Sequence, residues 1–133
     1  MNRKNNNELL QSVCKIAVQA GSIINKYYKS NLSIFLKEDK SPVTEADLAS
    51  NKFIIKSLEG LDSSIPILTE ESFVDWSIRK HWSAYWLVDP LDGTKEFINK
   101  NGEFTINIAL IANHEPILGV IYVPTLSILY YAS

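Results

Sequence analysis

Four carboxylates stand where chemistry could be built. Glu70 follows Ile67-Leu68, Asp89 follows Trp86-Leu87-Val88, Asp92 lies three residues on, and Asp47 sits in the first turn of an expected helix. The ends of apolar elements are where functional groups gather on a rigid scaffold. The densest string is Asp89-Pro90-Leu91-Asp92-Gly93-Thr94. Pro90 fixes its own φ and pushes Asp89 toward an extended conformation. The string is therefore expected to turn sharply and aim both aspartates at one point. Carboxylates held that close repel each other unless a cation lies between them. A hard divalent cation such as Mg²⁺ takes oxygen ligands, keeps several waters and is often shared with a substrate phosphate. Gly93 would let a ligand approach the backbone closely. If Gly93 and Thr94 open a helix, their N–H groups point at an anion, and the Thr94 hydroxyl could orient a water.

Plainer structural roles compete with these. Asp-Pro and Asp-Gly are common turn pairs. Thr69-Glu70-Glu71-Ser72 could simply cap a helix, and Asp47 could be only the third residue of a capping box. The whole six-residue string after a buried strand is far more specific than either pair. His81 and His114 lie in polar segments without ligand-spaced partners and read as surface residues. Trp76, Trp82 and Trp86 read as core or rim, and Cys14 as a small packing residue. The sequence has no P-loop, dinucleotide glycine pattern, CxxC or HExxH.

The elements that must hold these groups follow from periodicity. Apolar residues recur at three- and four-residue steps from Leu9 to Tyr28, which predicts an amphipathic helix. Gly21 weakens that helix and marks a close contact with a neighbour. Ser30 to Pro42 reads as a charged connection with a short strand at Ile34 to Leu36 and a turn at Lys37 to Lys40. Thr44, with Asp47 three residues on, starts a second helix whose apolar side is Leu48, Ile55 and Leu58 and whose stop is Gly60. Ile65 to Leu68 and Tyr85 to Val88 are short buried-strand patterns. After a brief helical piece at Lys95 to Lys100 comes an antiparallel meander. Its strands are Phe104 to Ala112, Ile117 to Val123 and Ser127 to Ala132, with turns at Asn113 to Pro116 and Pro124-Thr125.

Composition narrows the function classes. The chain has 133 residues, 46% hydrophobic and 21% charged, which is enough for one domain with a core. Its 13 basic and 15 acidic residues give no footprint for nucleic acid and no polybasic membrane patch. A single cysteine excludes a disulfide scaffold and suits a reducing cytosol. No apolar run approaches the ~20 residues that span a bilayer. The sequence stops directly after the apolar run Ile128 to Ala132, an unusual place for a complete domain to end.

Taken together, Thr69-Glu70-Glu71-Ser72 and Trp86-Leu87-Val88-Asp89-Pro90-Leu91-Asp92-Gly93-Thr94 resemble the metal-dependent, lithium-sensitive phosphatases of the inositol monophosphatase superfamily. Ser41-Pro42-Val43-Thr44-Glu45-Ala46-Asp47 resembles that family's upstream aspartate segment. Lys95-Glu96-Phe97 and Asn101-Gly102-Glu103-Phe104-Thr105-Ile106-Asn107-Ile108-Ala109-Leu110 are closer to the 3'(2'),5'-bisphosphate nucleotidase branch.

The resemblance implies an α/β fold, an α+β layered sandwich. Residues 1–133 would be its first half, with two N-terminal helices on a mainly antiparallel sheet and the C-terminal domain absent. It implies two or three Mg²⁺ ions held by Glu70, Asp89, the carbonyl of Leu91, and Asp92. Asp47, Glu70 and Thr94 would be catalytic, with Asp47 and Thr94 orienting and deprotonating the attacking water. Glu70, Leu91, Asp92, Gly93 and Thr94 would contact the substrate. That substrate would be 3'(2')-phosphoadenosine 5'-phosphate, cleaved to AMP and phosphate in the clearance of a by-product of sulfate assimilation. The alternatives are a truncated remnant without turnover and an inositol monophosphatase-like sugar phosphatase. No nucleic-acid partner is implied. A separate C-terminal half or a homo-oligomer is, along with a cytoplasmic setting that extends to the cytoplasmic face of the inner membrane. The family's second motif, a Trp-Asp in its C-terminal half, has no match here, since Asp75-Trp76 has the reverse order.

Overall fold

The structure is a computed structural model that describes residues 3–30, 34–37 and 42–133. The long periodic segment forms α1, Arg3–Tyr28, which extends into the polar residues before Leu9. Its stripe of Leu10, Val13, Ile16, Ala17, Ala20 and Ile24 is buried. Gly21 lies where α1 crosses the sheet, and a Cβ there would stand 2.3 Å from the Tyr122 ring. The close contact expected of Gly21 is therefore present.

The strands β1 (Ile34–Leu36) and β2 (Pro42–Thr44) pair antiparallel. The rest of the turn expected at Lys37 to Lys40 lies outside the described residues. Helix α2, Glu45–Leu61, follows directly, with Thr44 as its N-cap and a complete capping box to Asp47. Its buried face matches the expected one at Leu58 but not at Leu48. Ala46, Ser50, Ile54 and Leu58 are buried, whereas Leu48 is 46% exposed. The inward row follows four-residue spacing through small residues, which lets β4 approach closely. Reading only large apolar side chains selects the neighbouring row instead.

The main sheet has five strands in the order β3-β4-β5-β6-β7. They are β3 (Ile67–Thr69), β4 (Ala84–Asp92), β5 (Thr105–Ala112), β6 (Glu115–Val123) and β7 (Ile128–Ala132). Short helices α3 (Trp76–Arg79) and α4 (Thr94–Ile98) flank β4. The pairing of β3 with β4 is parallel and the other three are antiparallel. The meander is as expected except at one turn. Asn113 and His114 both adopt positive φ and close a two-residue hairpin, so Pro116 lies inside β6. A register irregularity at Leu110 and Ile111 accommodates it.

Helices α1 and α2 pack on one face of this sheet. Trp86, Val88, Ile106, Ile108, Leu110, Leu118 and Val120 fill the layer between them. This is the expected α/β arrangement of two N-terminal helices on a mainly antiparallel sheet. Trp86 is core, while Trp76 is exposed with the Arg79 guanidinium 5.0 Å over its ring. His81 and His114 are on the surface.

Candidate active site

Parallel pairing brings two carboxylates together. The β3–β4 register runs Ile67↔Trp86, Leu68↔Leu87 and Thr69↔Val88, and the Glu70 amide extends it by donating to the Val88 carbonyl at 3.1 Å. Glu70 and Asp89 thus emerge side by side from the same end of neighbouring strands.

The Asp89-to-Asp92 segment does not turn away as expected. It stays in β4 and bulges. Asp89 pairs with Asn107 and Asp92 with Thr105, so one strand spends a residue more than its partner between the two positions. Pro90 has no N–H to give a ladder, which suits it to such a bulge. The bulge is held from behind by Ser50, whose hydroxyl donates to the Pro90 carbonyl at 2.7 Å. The Leu91 amide donates to Asp89 Oδ1 at 3.3 Å, and Asn107 Nδ2 donates to Asp92 Oδ2 at 3.4 Å.

Gly93 then takes a left-handed φ of +92° as the N-cap of α4. A Cβ there would lie 2.8 Å from the Glu103 carbonyl oxygen. Both the torsion and the approach require glycine. This turn sends Thr94 back toward α2. The Thr94 hydroxyl donates to Asp47 Oδ1 at 2.8 Å. The other carboxylate oxygen, Oδ2, accepts from the Thr44 amide at 2.9 Å and the Thr44 hydroxyl at 2.6 Å. Asp47 is fully buried, and its carboxylate accepts from Thr94 as well as from the cap.

The electrostatics reflect crowding. Burial above all, then contact with Glu70 and the charges of Glu70 and Asp92, together push the Asp89 carboxyl up to about 8 against the opposing Leu91 amide. Such a group wants either a proton or a cation. Among the described residues no three acidic, histidine or cysteine side chains already converge as a closed cage. Glu70 and Asp89 are paired, and Asp92 acts on Asp89 through its charge. The donor set of three carboxylates fits a hard divalent cation, which takes oxygen ligands and completes its shell with water.

Several supporting residues escaped the sequence reading. Lys37 Nζ lies 3.0 Å from Glu71 Oε1 and 3.9 Å from Glu70 Oε1. Burial works to lower Lys37, but the hydrogen bond and charge of Glu71 outweigh it and raise the ammonium. Glu71 is raised as well, because burial of its carboxyl exceeds the effect of the pairing. Thr69 Oγ1 donates to Asn51 Oδ1 at 2.6 Å and ties β3 to α2. Thr69 and Glu71 stand in the Thr69-Glu70-Glu71-Ser72 motif, but their partners Asn51 and Lys37 carried no signal in the sequence.

The model of the Inositol monophosphatase family matches residues 5–133. The chain belongs to the inositol monophosphatase family. Among its family relatives, the 3'(2'),5'-bisphosphate nucleotidase CysQ of Salmonella typhimurium is 50% identical over 127 residues, covering 94% of this chain and 52% of that protein. The CysQ of Escherichia coli K12 is 48% identical over the same length. Two solved structures are also similar. CysQ from Bacteroides thetaiotaomicron aligns with a TM-score of 0.79 at 43% identity, over 94% of this chain and 45% of that one. The extragenic suppressor protein suhB from Bartonella henselae aligns with a TM-score of 0.85 at 29% identity, over 95% and 49%. The chain thus spans about half the length of the relatives it matches. No described helix is long and apolar enough to cross a membrane.

Proposed function

We propose that this chain is the first half of a Mg²⁺-dependent phosphomonoesterase acting on 3'(2')-phosphoadenosine 5'-phosphate, giving AMP and phosphate. The observation that carries the reaction type is the Thr94–Asp47 hydrogen bond beside the Glu70–Asp89 pair. The substrate class rests on similarity to bisphosphate nucleotidases at about half identity.

Glu70, Asp89, the Leu91 carbonyl and Asp92 would hold two or three Mg²⁺ ions, which supply charge neutralisation and a more acidic water when bound. The chain's own residues supply orientation. Thr94 gives its hydroxyl hydrogen to Asp47, so its lone pairs are left to accept from a water. That water would be fixed with its own lone pair toward phosphorus. Asp47 is locked by Thr44, so the pair needs no rearrangement as the water's proton passes to the Thr94 oxygen and the Thr94 hydrogen passes to Asp47 Oδ1. Gly93 and Thr94 would lie against the scissile phosphate, with Glu70, Leu91 and Asp92 also touching it. Phosphoryl transfer demands little more than such positioning and charge neutralisation.

The test is phosphate release from 3'-phosphoadenosine 5'-phosphate with Mg²⁺. Turnover inhibited by lithium and lost in Asp89→Asn supports the reading, and faster hydrolysis of an inositol phosphate overturns the substrate. Half-length coverage favours a second reading, a chain that binds the cation without turning over. A separate C-terminal half or self-association would then decide activity.

A further inference from the structure

Helix α2 does more than cover the sheet. Asp47, Ser50 and Asn51 stand three and four residues apart on one side of it, and the row continues inward through Ile54 and Leu58. Each of the three bonds to a different segment of the site. Asp47 Oδ1 accepts from the Thr94 hydroxyl at 2.8 Å, the Ser50 hydroxyl donates to the Pro90 carbonyl at 2.7 Å, and Asn51 Oδ1 accepts from the Thr69 hydroxyl at 2.6 Å. Pro90 immediately precedes Leu91, and Thr69 immediately precedes Glu70. Three separate pieces of the site therefore hang from two turns of one helix.

The Ser50 bond is the least expected. A serine inside a helix can bond the carbonyl four residues back. Ser12, Ser22 and Ser57, the other serines of α1 and α2, do so, to Glu8, Val18 and Phe53. Ser50 is fully buried and reaches out of its own helix to β4. Its acceptor lies in the bulge, where the β4–β5 ladder is interrupted between Asp89 and Asp92. A short bond from outside the sheet thus fixes the peptide that leads into Leu91. Asn51 acts likewise at the end of β3, a three-residue strand at the sheet's edge.

We propose that Ser50 and Asn51 are positioning residues for divalent-cation binding. Ser50 fixes the Pro90–Leu91 peptide, Asn51 fixes the end of β3 at Glu70, and with Asp47 they make α2 the template of the site. This rests on the cation reading given above. Mn²⁺, a paramagnetic stand-in for Mg²⁺, is titrated into the whole 133-residue chain and the free ion is read by electron paramagnetic resonance. Amide hydrogen exchange is followed separately in chelator. Ser50→Ala and Asn51→Ala should each weaken Mn²⁺ binding about tenfold or more. Ser50→Cys keeps the volume but donates weakly, and should fall the same way. Exchange should quicken locally, at Leu91 in the Ser50 variants and at Glu70 in Asn51→Ala, while the amides of α1 keep their protection. Ser57→Ala loses a bond only within α2 and should match the parent in both readouts. Parent-like affinity in the Ser50 and Asn51 variants overturns the assignment. So does exchange that quickens throughout the fold, which would make both residues merely structural. A parent that binds no Mn²⁺ overturns the cation reading instead. Local quickening at Leu91 and Glu70 then still supports the positioning, and its absence overturns it.

Discussion

The Thr94 hydroxyl donates to Asp47 Oδ1 at 2.8 Å, joining the start of α4 to the first turn of α2 across 47 positions of sequence. Asp47 therefore serves the helix cap and the Thr94 hydroxyl with different oxygens. Asp47→Ala removes the reciprocal half of the capping box and strands buried donors, at a cost of about 2–3 kcal/mol in chemical denaturation. Asp47→Asn can keep an oxygen toward Thr44 while turning its NH₂ to Thr94. Its stability should stay near that of the parent. Phosphate release should nevertheless fall about 10²- to 10⁴-fold, because Thr94 becomes an acceptor toward residue 47. Equal loss of stability in both variants would contradict this division of labour.

Asp89 gives the chain a pH dependence with a definite sign. Its carboxyl is raised from 3.8 to about 8 in the fold, so folding favours the protonated form. The stabilisation is complete below about pH 4 and is lost as pH rises through about 8. Thermal melts in chelator should show the midpoint falling between pH 5 and 8.5. Mg²⁺ should restore it at the upper end. Asp89→Asn should flatten the profile and remove the response to Mg²⁺.

Gly93→Ala places a side chain at φ +92° and 2.8 Å from the Glu103 carbonyl. The expected loss is about 1–3 kcal/mol in urea unfolding. A change within error would mean that the bend before Thr94 is not constrained as described.

Two further glycines should respond with opposite signs to the same substitution. Gly21→Ala drives a methyl into the Tyr122 ring, and about 1–3 kcal/mol of overpacking exceeds the helix gain of ~1 kcal/mol. Gly60→Ala meets nothing within 4 Å in the last turn of α2 and should stabilise by about 0.5 kcal/mol. Paired melting curves of the two variants decide the matter.

What could be read from the chain alone was whatever depends on near neighbours. The Thr44–Asp47 capping box, the α1 stripe and the strand ending at Asp89 all involve contacts within a few residues. Family resemblance then supplied the long-range pairing of Asp47 with Thr94. The bulge was misread as a sharp turn, because local proline geometry does not show that β5 keeps pairing on both sides of it. Ser50 behind Pro90, Lys37 against Glu71, and Asn51 on Thr69 went unseen for the same reason. Each is an ordinary polar residue whose partner is set by how α2 and β1 dock.

The parallel pair β3–β4 has one more consequence. Glu70 and Asp89 are aligned by ladder bonds between the strands themselves, through Ile67↔Trp86 to Thr69↔Val88. The residues that link them, from Phe73 through the exposed Trp76 and Ile78 to Lys80, make none of those ladder bonds. The linking stretch can therefore lengthen, shorten or change composition while the spacing of the two carboxylates stays constant. It is where a designer could insert new sequence beside the site while leaving the ladder that aligns the two carboxylates in place.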